Sequence, residues 1–290
     1  MASNSRPIAV TGATGALGGR VAQRLAALGV PQRLVVRDAS RAADMAGTDV
    51  AVAGGYHDRD GMTEALRGSD TLFLVSATES PTRVEDQRTA VDAAVDAGVQ
   101  RIVYTSFVGA APDAVFTFAR HHHDTEEHIR ATGIAYTFLR DSLYLDFVPT
   151  FASEDGVIAG PAGDGQAAWV ARDDVADVAI AVLTQDGHEG ETYDVTGRET
   201  STLEYAAEVL SDFSGREVTY QEETVHEAYE SRADYGAPDW EVEGWVTSFE
   251  AVAEGDFDFV TDVVPALTGH DAQTLREFLA ENPDSYAHLV

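Results

Sequence analysis

Short apolar runs and amphipathic stretches alternate along the first 140 residues. Residues 7–11 (PIAVT) form an apolar run that ends in a glycine-rich turn. Residues 16–28 follow with helical spacing of Leu17, Val21, Leu25 and Leu28, stopped by Gly29. Further strands are predicted at 33–37, 50–52, 71–75, 101–104 and 136–139. Helices are predicted over 84–97, closed by Gly98, and around 124–131, closed by Gly133. Continuous apolar strands separated by helices predict a parallel sheet covered on both faces. With right-handed crossovers, this is an α/β fold: a doubly wound parallel Rossmann sheet. After Arg140 the rhythm loosens. A helix is expected over 173–183, a strand over 192–195 and a helix over 203–210, and residues 225–286 read as acidic and mostly helical. We therefore expect a nucleotide-binding domain over 1–150 and a smaller, mixed α/β substrate lobe over 151–290. The two are partly interleaved, with about 170–185 packing on the Rossmann sheet.

The turn Thr11-Gly12-Ala13-Thr14-Gly15-Ala16-Leu17-Gly18 lies between the first strand and the first helix, the context a phosphate-binding turn requires. Gly12 permits the tight turn, Gly15 lets the backbone approach a pyrophosphate, and Gly18 lets the helix pack closely. The free N–H groups of the helix start then face the phosphates. The spacing is G-x-x-G-x-x-G, not G-x-G-x-x-G. The second strand ends at Arg37, and Asp38 and Arg41 follow it. An acid here takes the ribose 2′-hydroxyl of NAD(H), whereas arginine accommodates the 2′-phosphate of NADP(H). Two guanidiniums on a phosphate dianion favour NADP(H). The alternative is NAD(H), with Asp38 on the ribose and Arg41 as a solvated residue.

Charge narrows the partners. There are 19 basic residues, all arginine, against 50 acidic ones, a net charge of −31. Direct nucleic-acid binding needs a basic face and is not expected. The acids are scattered rather than gathered in a tail. That suits a high-salt interior where screening relieves self-repulsion; incidental acidity with arginine-rich codon usage is the other reading. No apolar run reaches the roughly 18 residues of a membrane span. Residues 1–7 carry no apolar leader, so a cytoplasmic location is expected. The absence of cysteine removes disulfides, thiolate metal sites and a thiol nucleophile. His121, His122 and His123 are consecutive and point about 100° apart on a helix, so they cannot ligate one metal together. With no HExxH pattern, no metal site is expected. No Gly-x-Ser-x-Gly elbow supports hydrolysis.

The segments TGATGALG, VRDASRA, DAGVQRIVYTS, HHDTEEHIRATGIAYTFLR and GPAGDGQAAWVARDDVADVAIAVL resemble, in order and over about residues 7–200, the NmrA-like branch of the atypical short-chain dehydrogenase/reductases, and particularly the type 2 NADPH:quinone oxidoreductases. The resemblance implies that Gly12, Thr14, Gly15, Ala16 and Leu17 line the pyrophosphate, with Thr11 and Gly18 completing the turn. Arg37 would hold the 2′-phosphate. Tyr56, Ser76, Ala77 and Thr78 would flank the adenosine and the middle of the cofactor. Ser106 and Phe107 would sit near the nicotinamide. A Tyr-x-x-x-Lys pair is impossible in a chain without lysine. The resemblance places His122 where the branch often keeps a lysine, and Glu126 later on that helix.

The expected function is hydride transfer from NADPH to a small electron-poor acceptor such as a quinone, with His122 and Ser106 as the catalytic candidates. A neutral or protonated imidazole can donate to a ribose or substrate oxygen. Ser106 is suited to bond a carbonyl oxygen or, equally, to turn chemistry after its strand. Phe107 and Tyr144 are candidates for the substrate wall, although aromatic residues after a strand are commonly core. The competing reading is a redox sensor that binds the dinucleotide without turnover and acts through a protein partner. The substrate and the oligomeric state stay open.

Overall fold

A computed structural model describes residues 6–290; the leader reading of residues 1–7 falls largely on residues 1–5, outside the described residues. In chain order the elements are β1 (Ile8–Thr11), α1 (Ala16–Ala27), β2 (Gln32–Val36), β3 (Thr48–Val52), α2 (Arg59–Leu66), β4 (Thr71–Leu74), α3 (Arg83–Ala97), β5 (Arg101–Phe107), α4 (Thr117–Thr132) and β6 (Ala135–Asp141). There follow β7 (Val157–Gly160), α5 (Arg172–Thr184), β8 (Thr192–Val195), α6 (Leu203–Ser214), β9 (Thr219–Glu222), α7 (Val225–Arg232), α8 (Asp239–Ala253), α9 (Val263–Thr268) and α10 (Leu275–Glu281).

Seven strands form one sheet in the order β3-β2-β1-β4-β5-β6-β8. The pairs β2–β3, β1–β2, β1–β4 and β4–β5 are all parallel, as the continuous apolar runs require. Order reverses between β1 and β4, the switch point where ligands gather in such sheets. Ala9, Val35, Leu72, Leu74, Ile102, Tyr104 and Phe138 pack with Met62 and Leu66 of α2, Val91 and Ala94 of α3, and Ile129 of α4. Successive strand residues face opposite sides, so the fully buried Val10, Leu34, Phe73 and Val103 point to the other face. Arg24 Nε of α1 bonds Asp177 Oδ1 of α5 at 2.7 Å. β3 is an edge strand with Val50 and Val52 exposed.

The chain divides into two compact units. One comprises the chain up to Ser106 with His121–Arg140 and Val175–Tyr193; the other comprises Phe107–Arg120, Asp141–Asp174 and Asp194–Val290. The second unit has its own core, including Leu145, Ile158, Trp169, Leu203, Leu210, Phe249, Phe257 and Phe278. A two-stranded parallel sheet of β7 and β9 belongs to it. Its helices α7 and α10 open on capping boxes, Thr224 with Glu227 and Thr274 with Glu277. No helix among the described residues is long and apolar enough to cross a membrane.

Candidate functional site

The glycine turn forms as its sequence demands. Gly12 adopts φ +61°, a conformation open to glycine, and the Gly15 N–H closes the turn on the Gly12 carbonyl at 2.8 Å. Gly15 caps α1 without any side-chain bond, so the amides that open this 12-residue helix keep their outward polarity. A Cβ on Gly18 would stand 2.4 Å from the Gly12 carbonyl oxygen and 2.6 Å from its carbon. That neighbour is backbone and cannot swing away. Gly18→Ala is therefore expected to destabilise the protein by roughly 1–3 kcal/mol through overpacking, and to weaken ligand binding at the displaced turn. Thermal unfolding beside a binding titration checks both; an unchanged midpoint would show that the helix re-seats freely.

Around this turn a cavity of about 410 Å³ opens in the first unit. Its walls come from the C-terminal ends of four parallel neighbours. These are Gly12, Ala13 and Thr14 after β1, Val35, Val36 and Arg37 at β2, residues 53–57 after β3, and residues 76–80 after β4. Of the residues expected at the ligand, Gly12, Thr14, Arg37, Tyr56, Ser76, Ala77 and Thr78 meet here. His57, Glu79 and Asp86 also line the cavity and were not foreseen. Gly15 and Ala16 are exposed at the helix start outside the cavity wall, whereas Leu17 and Gly18 are buried under the helix.

Other candidates are placed differently. Thr11 is fully buried; its Oγ1 accepts from the Val75 N–H at 3.0 Å and lies 2.6 Å from Tyr56 Oη. It braces the wall rather than lining it. Burial pushes the Tyr56 phenol well above its ordinary range, so it stays protonated, and Oη also donates to the Val75 carbonyl at 2.5 Å. Arg37 is the one guanidinium lining the cavity, and among the described residues it has no ion-pair partner. Asp38 does not reach in. Its Oδ1 accepts from Ser40 Oγ (2.7 Å) and Ser40 N (2.9 Å), and these bonds hold its carboxyl below the usual carboxylate range. Arg41 ends the single turn that Asp38 caps, and lies outside the cavity wall.

Neither catalytic candidate lines the cavity. Ser106 Oγ donates to Glu126 Oε1 at 2.6 Å, and the fully buried Glu126 also takes Arg140 at 2.8 and 2.7 Å and Arg130 at 3.1 Å. The hydroxyl is thus committed to a buried ion cluster. His122 is buried, with Nε2 at 3.1 Å from Arg83 Nη2 and Nδ1 at 3.0 Å from Tyr104 Oη. Burial first, and the adjacent Arg83 cation second, hold its pKa well below the ordinary imidazole value, so the ring is neutral. No cluster of histidine and acidic side chains suited to a metal exists among the described residues.

The two aromatic candidates, Phe107 and Tyr144, belong to the second unit. Phe107 packs its ring at 5.0 Å from Phe116 and 5.5 Å from Phe257. Tyr144 Oη donates to Asp141 Oδ2 at 2.7 Å, under the Arg172 guanidinium 4.5 Å from its ring. Asp141, at the end of β6, is 1% exposed and its Oδ1 has no partner. Burial pushes its carboxyl up to about 8, against the Tyr144 bond and the Arg172 charge. A second cavity of about 330 Å³ in this unit is bordered by Thr196, Arg198, Thr261 and Asp271. Arg198 there is already held by both Glu277 oxygens at 2.8 and 2.7 Å.

The chain is similar to known proteins along nearly its whole length. Residues 4–265 match the profile of the NmrA-like family. The chain is 38% identical over 97% of its length, and 99% of the relative's, to (4-alkanoyl-5-oxo-2,5-dihydrofuran-3-yl)methyl phosphate reductase of Streptomyces griseus. It is 34% identical to quinone oxidoreductase 2 of Escherichia coli, over 93% of this chain and 96% of that one. The crystal structure of the NADPH-dependent quinone oxidoreductase of Escherichia coli complexed with NADPH superposes with a TM-score of 0.86, at 34% identity, covering 94% of this chain and 99% of the other.

Proposed function

The chain belongs to the NmrA-like family, and on that footing we propose that it is an NADPH-dependent reductase that passes a hydride to a small electron-poor acceptor such as a quinone. The observation that carries this reading is the cavity at the carboxyl edge of β1, β2, β3 and β4, with an uncapped helix start on one side and the unpaired Arg37 on another. A dinucleotide phosphate fits these residues. The turn of Gly12, Ala13 and Thr14 offers backbone close to the ligand, and α1 offers its N-terminal amides to the pyrophosphate. Arg37 offers a guanidinium to the 2′-phosphate, while Asp38, spent on Ser40, offers no competing carboxylate to a ribose. Tyr56 and residues 76–78 form the wall along which the nucleoside lies.

When bound, NADPH supplies the hydride. The protein's part is positioning and exclusion of water. An acceptor such as a quinone takes its proton from solvent, so the absence of a Tyr-x-x-x-Lys pair and the burial of His122 are no obstacle. The named substrates of relatives support this class: a quinone, an azo compound and an unsaturated, carbonyl-bearing ring are all electron-poor acceptors. The net charge of −31 supports activity at high ionic strength, where self-repulsion is screened.

The test is NADPH and NADH consumption with quinones, azo dyes and enones, in dilute buffer and in molar KCl. We expect NADPH oxidation with a quinone, faster than with NADH. Tight NADPH binding with no turnover on any acceptor at either salt would replace the reductase with a sensor.

A further inference from the structure

Beyond the end of β4, Val75 leads into Ser76 and Ala77 of the cavity wall, and none of the three has a sheet ladder to satisfy its backbone. Buried polar groups must find partners, and here side chains supply them. The Val75 N–H donates to Thr11 Oγ1 (3.0 Å) and the Val75 carbonyl accepts from Tyr56 Oη (2.5 Å). The Ser76 N–H donates to Thr105 Oγ1 at 2.8 Å. The Ala77 peptide groups are both taken from α3: its N–H donates to Gln87 Oε1 (3.0 Å) and its carbonyl accepts from Arg83 Nε (2.8 Å).

Behind Ala77 the bonds continue inward. Gln87 Nε2 donates to Thr125 Oγ1 at 2.8 Å, and Tyr104 Oη reaches Gln87 Oε1 at 3.3 Å. Arg83 Nη2 meets His122 Nε2 at 3.1 Å, and His122 Nδ1 meets Tyr104 Oη at 3.0 Å. Arg83 is 2% exposed and Gln87 and Tyr104 are fully buried. Arginine can only donate, so His122 Nε2 accepts from it and the ring proton sits on Nδ1, the nitrogen beside Tyr104; the ring also hydrogen-bonds the Thr105 backbone. The tyrosine hydroxyl is left to donate to Gln87. With Arg83 as the donor, a protonated imidazole would break this link by setting N–H against guanidinium. The nearest carboxylate to Arg83 is the half-exposed Glu79, at 3.7 Å. Burying a cation among mainly neutral acceptors is costly, and any neutral donor could hold one carbonyl. What arginine adds is a planar fork that bonds Ala77 and His122 at once.

We propose that Arg83 and His122, with Gln87 and Tyr104, are positioning residues of the dinucleotide site. They form a buried strut that fixes the Ala77 peptide and so the wall at residues 76–78, and His122 acts as its neutral acceptor rather than as an acid or base in the reaction. The proposal rests on the NADPH reading above.

The test compares His122→Leu, His122→Gln and Arg83→Met with wild type. It reads the NADPH dissociation constant well below each variant's unfolding temperature, kcat at saturating NADPH, and amide hydrogen exchange at Ala77. Glutamine can accept from Arg83 and donate to Tyr104, so it rescues a strut but not an imidazole acid. We expect His122→Leu and Arg83→Met to weaken NADPH binding by about tenfold or more, with kcat at saturation within about threefold and faster Ala77 exchange. His122→Gln should bind within about threefold of wild type, and the Arg83→Met/His122→Leu double variant should be no worse than the poorer single. If Arg83→Met does not fold, Gln87→Leu removes the acceptor for the Ala77 N–H without removing a charge and is read the same way. Folded Arg83→Met or Gln87→Leu with wild-type NADPH affinity would overturn the strut. A large loss of kcat shared by His122→Leu and His122→Gln, with affinity unchanged, would overturn it in favour of a catalytic imidazole. A wild type that binds no NADPH would instead overturn the cofactor reading; Ala77 exchange, which needs no ligand, tells that failure from the failure of the strut.

Discussion

Replacing Arg37 with glutamate will lower kcat/KM for NADPH by about a hundredfold or more while leaving NADH within a few-fold, because one charge-assisted bond is worth about 1.5–3 kcal/mol and tenfold is about 1.4 kcal/mol. The reason is local. Arg37 is the only guanidinium lining the cavity, it stands at the carboxyl end of β2, and it has no ion-pair partner among the described residues to compete for it. Glutamate there replaces attraction to a phosphate dianion by repulsion, while a ribose hydroxyl lacks that charge. Arg41→Glu should have a far smaller effect, since Arg41 lies outside the wall and its influence passes through screened solvent. The loss from Arg37→Glu should shrink, but persist, in molar KCl. Steady-state kinetics with both cofactors at two salt concentrations decide the matter. Equal losses for NADPH and NADH would mean that Arg37 supports the fold of the loop and does not read the phosphate.

The contrast between the glycine turn and His122 shows which features a sequence makes legible. A tight glycine turn is built from backbone, so the glycines at 12, 15 and 18 announce its geometry locally. The central strands β1, β4 and β5 are legible because burial on both faces leaves a continuous apolar run. Edge and peripheral elements carry no such mark. β3 exposes Val50 and Val52, α2 is an eight-residue helix of mixed polarity, and β7 and β9 have four residues each. None of α2, β7 and β9 was expected. The helix α4 begins at Thr117, ahead of the expected 124, because the run of three histidines gives no apolar period to read. His122 stood out in the sequence, but its partners Arg83 and Tyr104 are 39 and 18 residues away, so only the fold shows the ring buried between them. One signal was available: Arg83 and Gln87 fall on the same helical stripe as the buried Ala90, Val91 and Ala94. A cation and an amide on the core face of a helix need buried partners, and that need pointed to a polar network.

Asp141→Asn will stabilise the protein, and by an amount that grows with pH. In the folded chain the Asp141 carboxyl is pushed up to about 8 by burial, from an ordinary value of 3.8. A carboxyl with a raised folded value holds its proton in the folded state and releases it on unfolding. Its contribution to stability is therefore fully present below about pH 4 and is lost as pH rises towards 8, at about 1.4 kcal/mol per pH unit. Above pH 8 both states are ionised and the loss stops growing. Asparagine keeps an acceptor for Tyr144 Oη, whose own proton is held firmly by burial and by the neighbouring acid. Arg172 loses little, since it already pairs with Asp146 at 3.3 Å and stacks 4.4 Å from Phe147. The measurement is urea unfolding of wild type and variant from pH 5 to pH 9 at fixed ionic strength, taken as the difference between the two so that the other acids cancel. A gap that widens to about pH 8 and then levels means that the carboxyl is protonated in the fold at neutral pH. A gap independent of pH would mean that Asp141 is ionised there, and that Arg172 or water near its unpaired Oδ1 offsets the burial.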